Sequence, residues 1–216
     1  MKRLAILVEG QTEERFVKEI LYEHFLNKNI FIDPIIITSS RKANGVKYKG
    51  GDVKFDKVIN ELKKLLVSYD LVSTLLDYYG IDEDFKGYSE SLNKKTIEEK
   101  KKVIETALKN EISNSRFIPY IQMHEFEALL FSDVAPFIYV DETPELLNEL
   151  KEIIKNFDTP EHINNSKETA PSKRIKALYK SYQKVTDGTL IAQEIGLTKI
   201  REKCKLFNEW ISLLEK

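Results

Sequence analysis

Glu9, Asp77, Glu125 and Glu127 are the side chains of this sequence best suited to chemistry, with His124 beside the last two. Carboxylates brought together from distant stretches repel one another unless they share a cation or a proton. A hard divalent ion, Mg²⁺ or Mn²⁺, is the usual partner when the donors are mainly carboxylate oxygens. Such an ion polarises a phosphate and lowers the pKa of its bound water, the chemistry of phosphodiester hydrolysis.

Each acid also has a local explanation to be weighed. In LAILVEGQTEERF (Leu4 to Phe16) an apolar run ends at Glu9 and Gly10. Glu13 and Glu14 fall in the first turn of the helix expected next, with Thr12 as its N-cap, and acids favour that end of the helix dipole. Glu9 precedes the cap, so the dipole does not account for it, and Gly10 permits a tight turn and close backbone approach. Asp77 ends the third apolar run; a lone Asp there also serves as a turn cap. In MHEFEALLFSD the zinc-protease pattern HExxH fails, because Ala128 stands where the second His must be. On a helix, His124 and Glu127 share a face, and Phe126, Leu129 and Leu130 occupy much of the opposite side. A plain amphipathic helix with a solvated polar face explains the same spacing.

These residues need elements to position them. Leu4–Val8 is a short continuous apolar run, as in a central parallel strand covered on both faces. A helix through Phe16, Ile20, Leu21 and Phe25 follows, then a β-branched run over Ile30–Thr38 and a glycine-containing loop (Gly45, Gly50, Gly51). A helix through Val58, Ile59, Leu62, Leu65 and Leu66, a strand at Leu71–Leu76, a charged helix over Lys94–Glu111 and a strand at Phe117–Gln122 complete the alternation. That order predicts an α/β fold with a mostly parallel sheet flanked by helices. In open sheets of this type ligands bind beyond the carboxyl ends of the strands, where Glu9, Asp77 and the His124–Glu127 cluster all fall. After about Pro136 the pattern becomes helical, near Glu145–Phe157, Ser172–Gln183, Thr189–Ile195 and Thr198–Leu214. The expected division is an α/β domain over 1–135 and a helical extension packed on it over 136–216.

A phosphate substrate would be met by cations. The loop RKANGVKYKGGDVK carries Arg41, Lys42, Lys47, Lys49 and Lys54, suited to phosphate contacts and equally to a plain surface loop. In APSKRIKALYK, Lys173 and Arg174 fall in a first helical turn, where cations oppose the dipole by about 0.3–1 kcal/mol. An anion bound there would turn the penalty into a gain; a surface coincidence is the alternative.

The 216 residues carry 34 cations against 35 acids, so nucleic-acid contact must rest on a local patch and not on bulk charge. One cysteine, Cys204, removes disulfides, and three histidines make a Cys/His zinc site a poor expectation. The first apolar run is too short for a membrane span and lacks a small-residue cleavage site, which predicts a soluble, cytoplasmic protein with no membrane partner.

Four motifs together resemble the Toprim superfamily: VEGQTEE (Val8–Glu14), LLDYYG (Leu75–Gly80), PYIQMHEFEALLFSD (Pro119–Asp133) and APSKR (Ala170–Arg174). Within it, the likeness is to a bacterial Toprim-like family of unknown function, related to the nuclease domains of OLD-type (overcoming-lysogenization-defect) proteins. The resemblance implies a Toprim-like Rossmannoid fold and Mg²⁺- or Mn²⁺-dependent nuclease chemistry on DNA or RNA. It also implies an ABC-type ATPase as partner, in a phage-defence or DNA-processing setting; a homodimer is left open. Glu9 matches the superfamily's Glu and Asp77 the first acid of its Asp-x-Asp, whereas the second acid position holds Tyr79. Asp82 or Asp84, or Glu125 and Glu127, are the candidates to compensate.

The expected site is therefore Glu9, Asp77, Glu125 and Glu127 as metal ligands, with His124 assisting proton transfer and Lys173 and Arg174 offsetting charge on the transition state. The rival expectation is a non-catalytic Toprim-like partner of an ATPase, or its nucleotide- or nucleic-acid-binding subunit, which keeps the carboxylates as a relic.

Overall fold

The computed structural model describes residues 1–37, 53–164 and 166–216. The cationic loop expected at Arg41–Lys54 lies outside the described residues except for its last two positions, as does Thr38. The chain opens with β1 (Lys2–Val8), then a helical run of α1 (Gln11–Phe16), a π-helical turn (Val17–Leu21) and α2 (Tyr22–Leu26). β2 (Ile30–Ile36), α3 (Phe55–Ser68), β3 (Leu71–Asp77), α4 (Tyr88–Leu92) and α5 (Ile97–Ile112) follow, then two short strands, β4 (Phe117–Ile118) and β5 (Ile121–Gln122). The remainder is helical: α6 (Pro144–Lys155), α7 (Pro171–Leu178), α8 (Asp187–Ile195), α9 (Leu197–Lys203) and α10 (Lys205–Leu214).

The strands form one parallel sheet in the order β2-β1-β3-β4, with β5 continuing beside β3. Side chains alternate across it. Leu4, Ile6 and Val8 face a core that they share with Phe16, Phe25, Ile191, Phe207, Trp210 and Ile211, so helices from beyond residue 135 cover this face together with α1 and α2. Ala5, Leu7, Val72 and Leu76 face the other way, onto Val58, Leu62, Ile104 and Leu108 of α3 and α5.

The strand expected at Phe117–Gln122 is split at Pro119 and Tyr120. Proline has no N–H for the ladder, and side chains of β3 take over there. The Ser73 hydroxyl donates to the Ile118 carbonyl (2.6 Å), and Thr74 exchanges hydrogen bonds with the Tyr120 backbone (2.8 Å each). The C-terminal helices also differ from the expected spans. The helix from Ser172 ends at Leu178, where Tyr179 turns extended, and the run Thr198–Leu214 breaks at Cys204. Glu161 makes that break tenable, accepting the freed N–H groups of Leu206 and Phe207 (2.9 Å each). Among the described residues no helix is long and apolar enough to cross a membrane.

Candidate functional site at the carboxyl edge of the sheet

Register fixes the level of the acids. Val8 pairs with Leu75, so Glu9 and Asp77 both emerge just past the end of that pairing; Asp77 in turn pairs with Gln122, three residues before Glu125. Asp77 lies two residues on from Leu75 and so on the face covered by the C-terminal helices. Between α7 and α8 a short connection reaches back to this edge and delivers Tyr182 and Lys184. The Lys184 ammonium stands 3.5 Å from Asp77 Oδ2 and 3.1 Å from Glu127 Oε2.

The site is buried and under-satisfied. Asp77 and Glu127 are 4% and 0% exposed. Among the described residues Glu9 Oε2, Asp77 Oδ1, both Glu127 oxygens and the Tyr182 hydroxyl have no hydrogen-bond partner, and Lys184 meets Glu127 as an ion pair. Burial, reinforced by Glu13, pushes the Glu9 carboxyl up to about 7. Burial likewise lifts Asp77 well above the usual carboxylate range and Glu127 to about 7, with Lys184 pulling both back. For Lys184, burial disfavours the ammonium, but Asp77 and Glu127 outweigh it and keep the charge. A Cβ at Gly80 would overlap the Glu9 carboxylate, so this glycine makes the room in which Glu9 lies.

Several sequence expectations are corrected here. Gly10, not Thr12, is the N-cap of α1; Thr12 is buried inside it. Glu13 accepts the Gly10 N–H (3.0 Å), as a first-turn acid should, yet it is only 4% exposed and its charge bears on Glu9 and Asp77 as well. Glu14 points outward to Lys18 (2.6 Å). The segment after β5 is not an α-helix with His124 and Glu127 on one face. Instead Phe126–Ser132 is a buried three-ten helix, and His124 lies before it in a left-handed conformation (φ 64°). That backbone reversal turns the His124 ring into a separate cleft beside Tyr78 and Tyr79. Burial lowers its pKa to about 4, and among the described residues Nδ1 has no hydrogen-bond partner.

Glu125 accepts the Ser172 N–H (3.0 Å) at the start of α7. The anion expected at that helix terminus is thus a carboxylate of the chain itself. Arg174 donates to the Thr169 carbonyl (2.8 Å) with its guanidinium over the Phe157 ring, while Lys173 is exposed. Tyr79 turns its ring toward His124 and hydrogen-bonds Asn164, away from the acids. Asp82 accepts the Asp84 N–H and faces Lys54 (4.0 Å) in the following loop. Lys184 and Tyr182 carried no signal in the sequence, since a lysine between two helices has no periodicity to mark it.

In kind, the donors fit a hard divalent ion, being buried carboxylates with orphaned oxygens. In placement they surround an ammonium, and among the described residues no three His, Cys, Asp or Glu side chains stand close enough to hold a metal ion. No curated protein and no solved structure gives a significant match to the chain. A family model does match, over residues 8–215, and the chain belongs to that family, DUF4276, a domain of unknown function.

Proposed function

We propose that the protein is a metal-dependent nuclease of Toprim type, hydrolysing DNA or RNA phosphodiester bonds with Glu9, Asp77 and Glu127 as its acidic core. One observation carries the reading: Asp77 and Glu127 are buried at one sheet edge with Glu9 half-buried beside them, and among the described residues four of their carboxylate oxygens have no hydrogen-bond partner. A buried carboxylate without partners is costly, and neither the dipole of α1 nor a turn cap accounts for Glu9 or Glu127. Mg²⁺ or Mn²⁺, when bound, supplies Lewis-acid polarisation of the phosphate and an activated water.

The remaining work falls to the chain. Glu9, Asp77 and Glu127 would hold the ion, and Gly80 leaves the space in which the Glu9 carboxylate lies. Glu125, tied to α7, positions that helix against the acids. Lys184 balances the charge of Asp77 and Glu127 before an ion enters. Lys184 would also offer a cation for the negative charge that develops on the phosphate. Partnership with an ABC-type ATPase, in phage defence or DNA processing, is proposed on the resemblance of VEGQTEE and HEFEALLF to OLD-type nuclease domains.

Lys184 also favours a second reading. A cluster already neutralised by its own lysine suits a non-catalytic subunit of such an ATPase that keeps the acids as a relic. Incubating plasmid, single-stranded DNA and RNA with Mg²⁺ or Mn²⁺ separates the two. Cleavage by the wild-type protein that is lost in Glu9→Ala and Asp77→Ala is expected. Full activity in both variants removes the assigned site, and no cleavage by wild type with its ATPase present selects the second reading.

A further inference from the structure

A cleft of about 350 Å³ opens beside the carboxylate edge, and neither reading above uses it. Three tyrosines line it: Tyr78, Tyr79 and Tyr88. Tyr78 and Tyr88 are buried supports, their rings 5.7 Å apart, and the Tyr78 hydroxyl is engaged with Ser91 (2.7 Å). Tyr79 is different, half-buried on the lining of the cleft. Behind it lies His124, 7% exposed, whose Nδ1 has no hydrogen-bond partner among the described residues. Lys100 and Lys167 stand on the lining, and the Lys167 ammonium lies 5.9 Å from the centre of the Tyr79 ring. His162, on the same lining, is taken up by Glu98 (3.3 Å).

Each feature selects among ligands. Tyrosine faces suit planar rings. Two lysines select an anion, which argues against a neutral sugar, whereas an unsatisfied imidazole nitrogen asks for a donor or acceptor on the ring edge. An aromatic anion with polar edges is a nucleotide, and the volume lies within the range of small-ligand sites. The chain itself links this cleft to the acids: Tyr79 follows Asp77 by two residues and precedes the glycine against which Glu9 packs.

We infer that this cleft binds a nucleotide, its base stacked on Tyr79 and hydrogen-bonded by His124, and its phosphate met by Lys100 and Lys167. The nucleotide is either free or part of a single strand. That it neighbours the bond to be cut is a further step, which rests on the nuclease reading; the binding itself does not.

The test is equilibrium binding in EDTA, which prevents metal-dependent cleavage, of AMP by calorimetry and of a fluorescein-labelled single-stranded oligonucleotide by anisotropy. Tyr79→Ala is expected to weaken binding about tenfold or more, and Tyr79→Phe, which keeps the ring, by less than about threefold. Lys167→Glu, an exposed position that leaves folding intact, weakens binding and flattens its salt dependence. Oligonucleotide binding much tighter than AMP binding identifies the strand as the source, and equal binding identifies the free nucleotide. No binding of either probe, or unchanged binding in both Tyr79→Ala and Lys167→Glu, overturns the inference. The nuclease reading fails separately. Tyr79-dependent binding without cleavage leaves the cleft standing, and cleavage with binding insensitive to Tyr79 and Lys167 removes the cleft alone.

Discussion

Glu127 and Glu161 are both glutamates hidden from solvent, at 0% and 2% exposure, and they are buried for opposite reasons. Glu161 has both oxygens engaged, one on the Leu206 N–H and the other on the Phe207 N–H, so that it starts α10 where the chain breaks at Cys204. Among the described residues Glu127 has neither oxygen in a hydrogen bond and is paired with the ammonium of Lys184. Burial raises the pKa of both, but in Glu161 the two backbone hydrogen bonds pull it back. Burial of an acid does not by itself mark a functional site. What distinguishes the two is whether the lone pairs are used by the fold.

The largest expected effect separates them directly. Asp77→Asn and Glu127→Gln should lower cleavage by roughly three orders of magnitude, the scale of losing several kcal/mol of Lewis-acid stabilisation. Their unfolding free energy in urea should move by less than about 1 kcal/mol, because each variant leaves Lys184 paired with the other carboxylate. Glu161→Ala should behave inversely, costing about 2–4 kcal/mol of stability by orphaning two N–H groups. Its cleavage should persist at temperatures where it is folded. Equal destabilisation by Glu127→Gln and Glu161→Ala would erase the contrast and make the carboxylate edge structural.

Gly80→Ala probes the same edge with no change of charge. A methyl group there collides with the Glu9 carboxylate. A displacement of about an ångström at a reacting centre costs on the order of a hundredfold in rate. Cleavage should fall by about that factor with the circular-dichroism melt little changed, and an unaffected rate would show that Glu9 need not lie where it does.

Lys184→Met asks whether the ammonium stands in for an ion. Divalent-ion affinity, read by Mn²⁺ calorimetry, should rise at least about tenfold once the competing charge is gone. The variant should be less stable without metal, by up to about 3 kcal/mol, and Mn²⁺ should restore its melting temperature. Equal Mn²⁺ affinity in variant and wild type would remove the competition while leaving metal binding intact.

The sheet was legible because continuous apolar runs at Leu4–Val8 and Leu71–Leu76 admit few alternatives once turns and helices separate them. The placement of Glu9 and Asp77 at one edge followed from the parallel topology. Glu13 has a sufficient local reason in the helix dipole, and that reason hides a second, tertiary one. HEFEALLF could not be read correctly from its spacing, since the left-handed turn at His124 leaves no mark in the periodicity. Lys184 was out of reach for a different reason: its partner Asp77 lies 107 residues away, and only the fold of the C-terminal helices brings them together.

A third carboxylate, Glu215, completes the comparison from the outer surface. Arg201 donates to both its oxygens (2.6 and 3.4 Å), and His24 Nε2 lies 2.6 Å from Oε1. Burial is the largest single influence and opposes its charge, but Arg201, His24 and Lys28 together outweigh it and hold the carboxyl below the usual range. A folded-state pKa below the unfolded value gives stability that is fully present above the unfolded pKa, near 4.3, and is lost as pH falls through the folded one. Glu215→Gln should therefore cost about 1 kcal/mol or less at neutral pH, in keeping with a partly exposed ion pair. Urea titrations of both proteins from neutral pH downward should show the gap closing below about pH 4. A gap that stays constant into acid would assign the effect to packing of the Glu215 side chain, leaving no charge contribution from the pair that ties α2 to the end of α10.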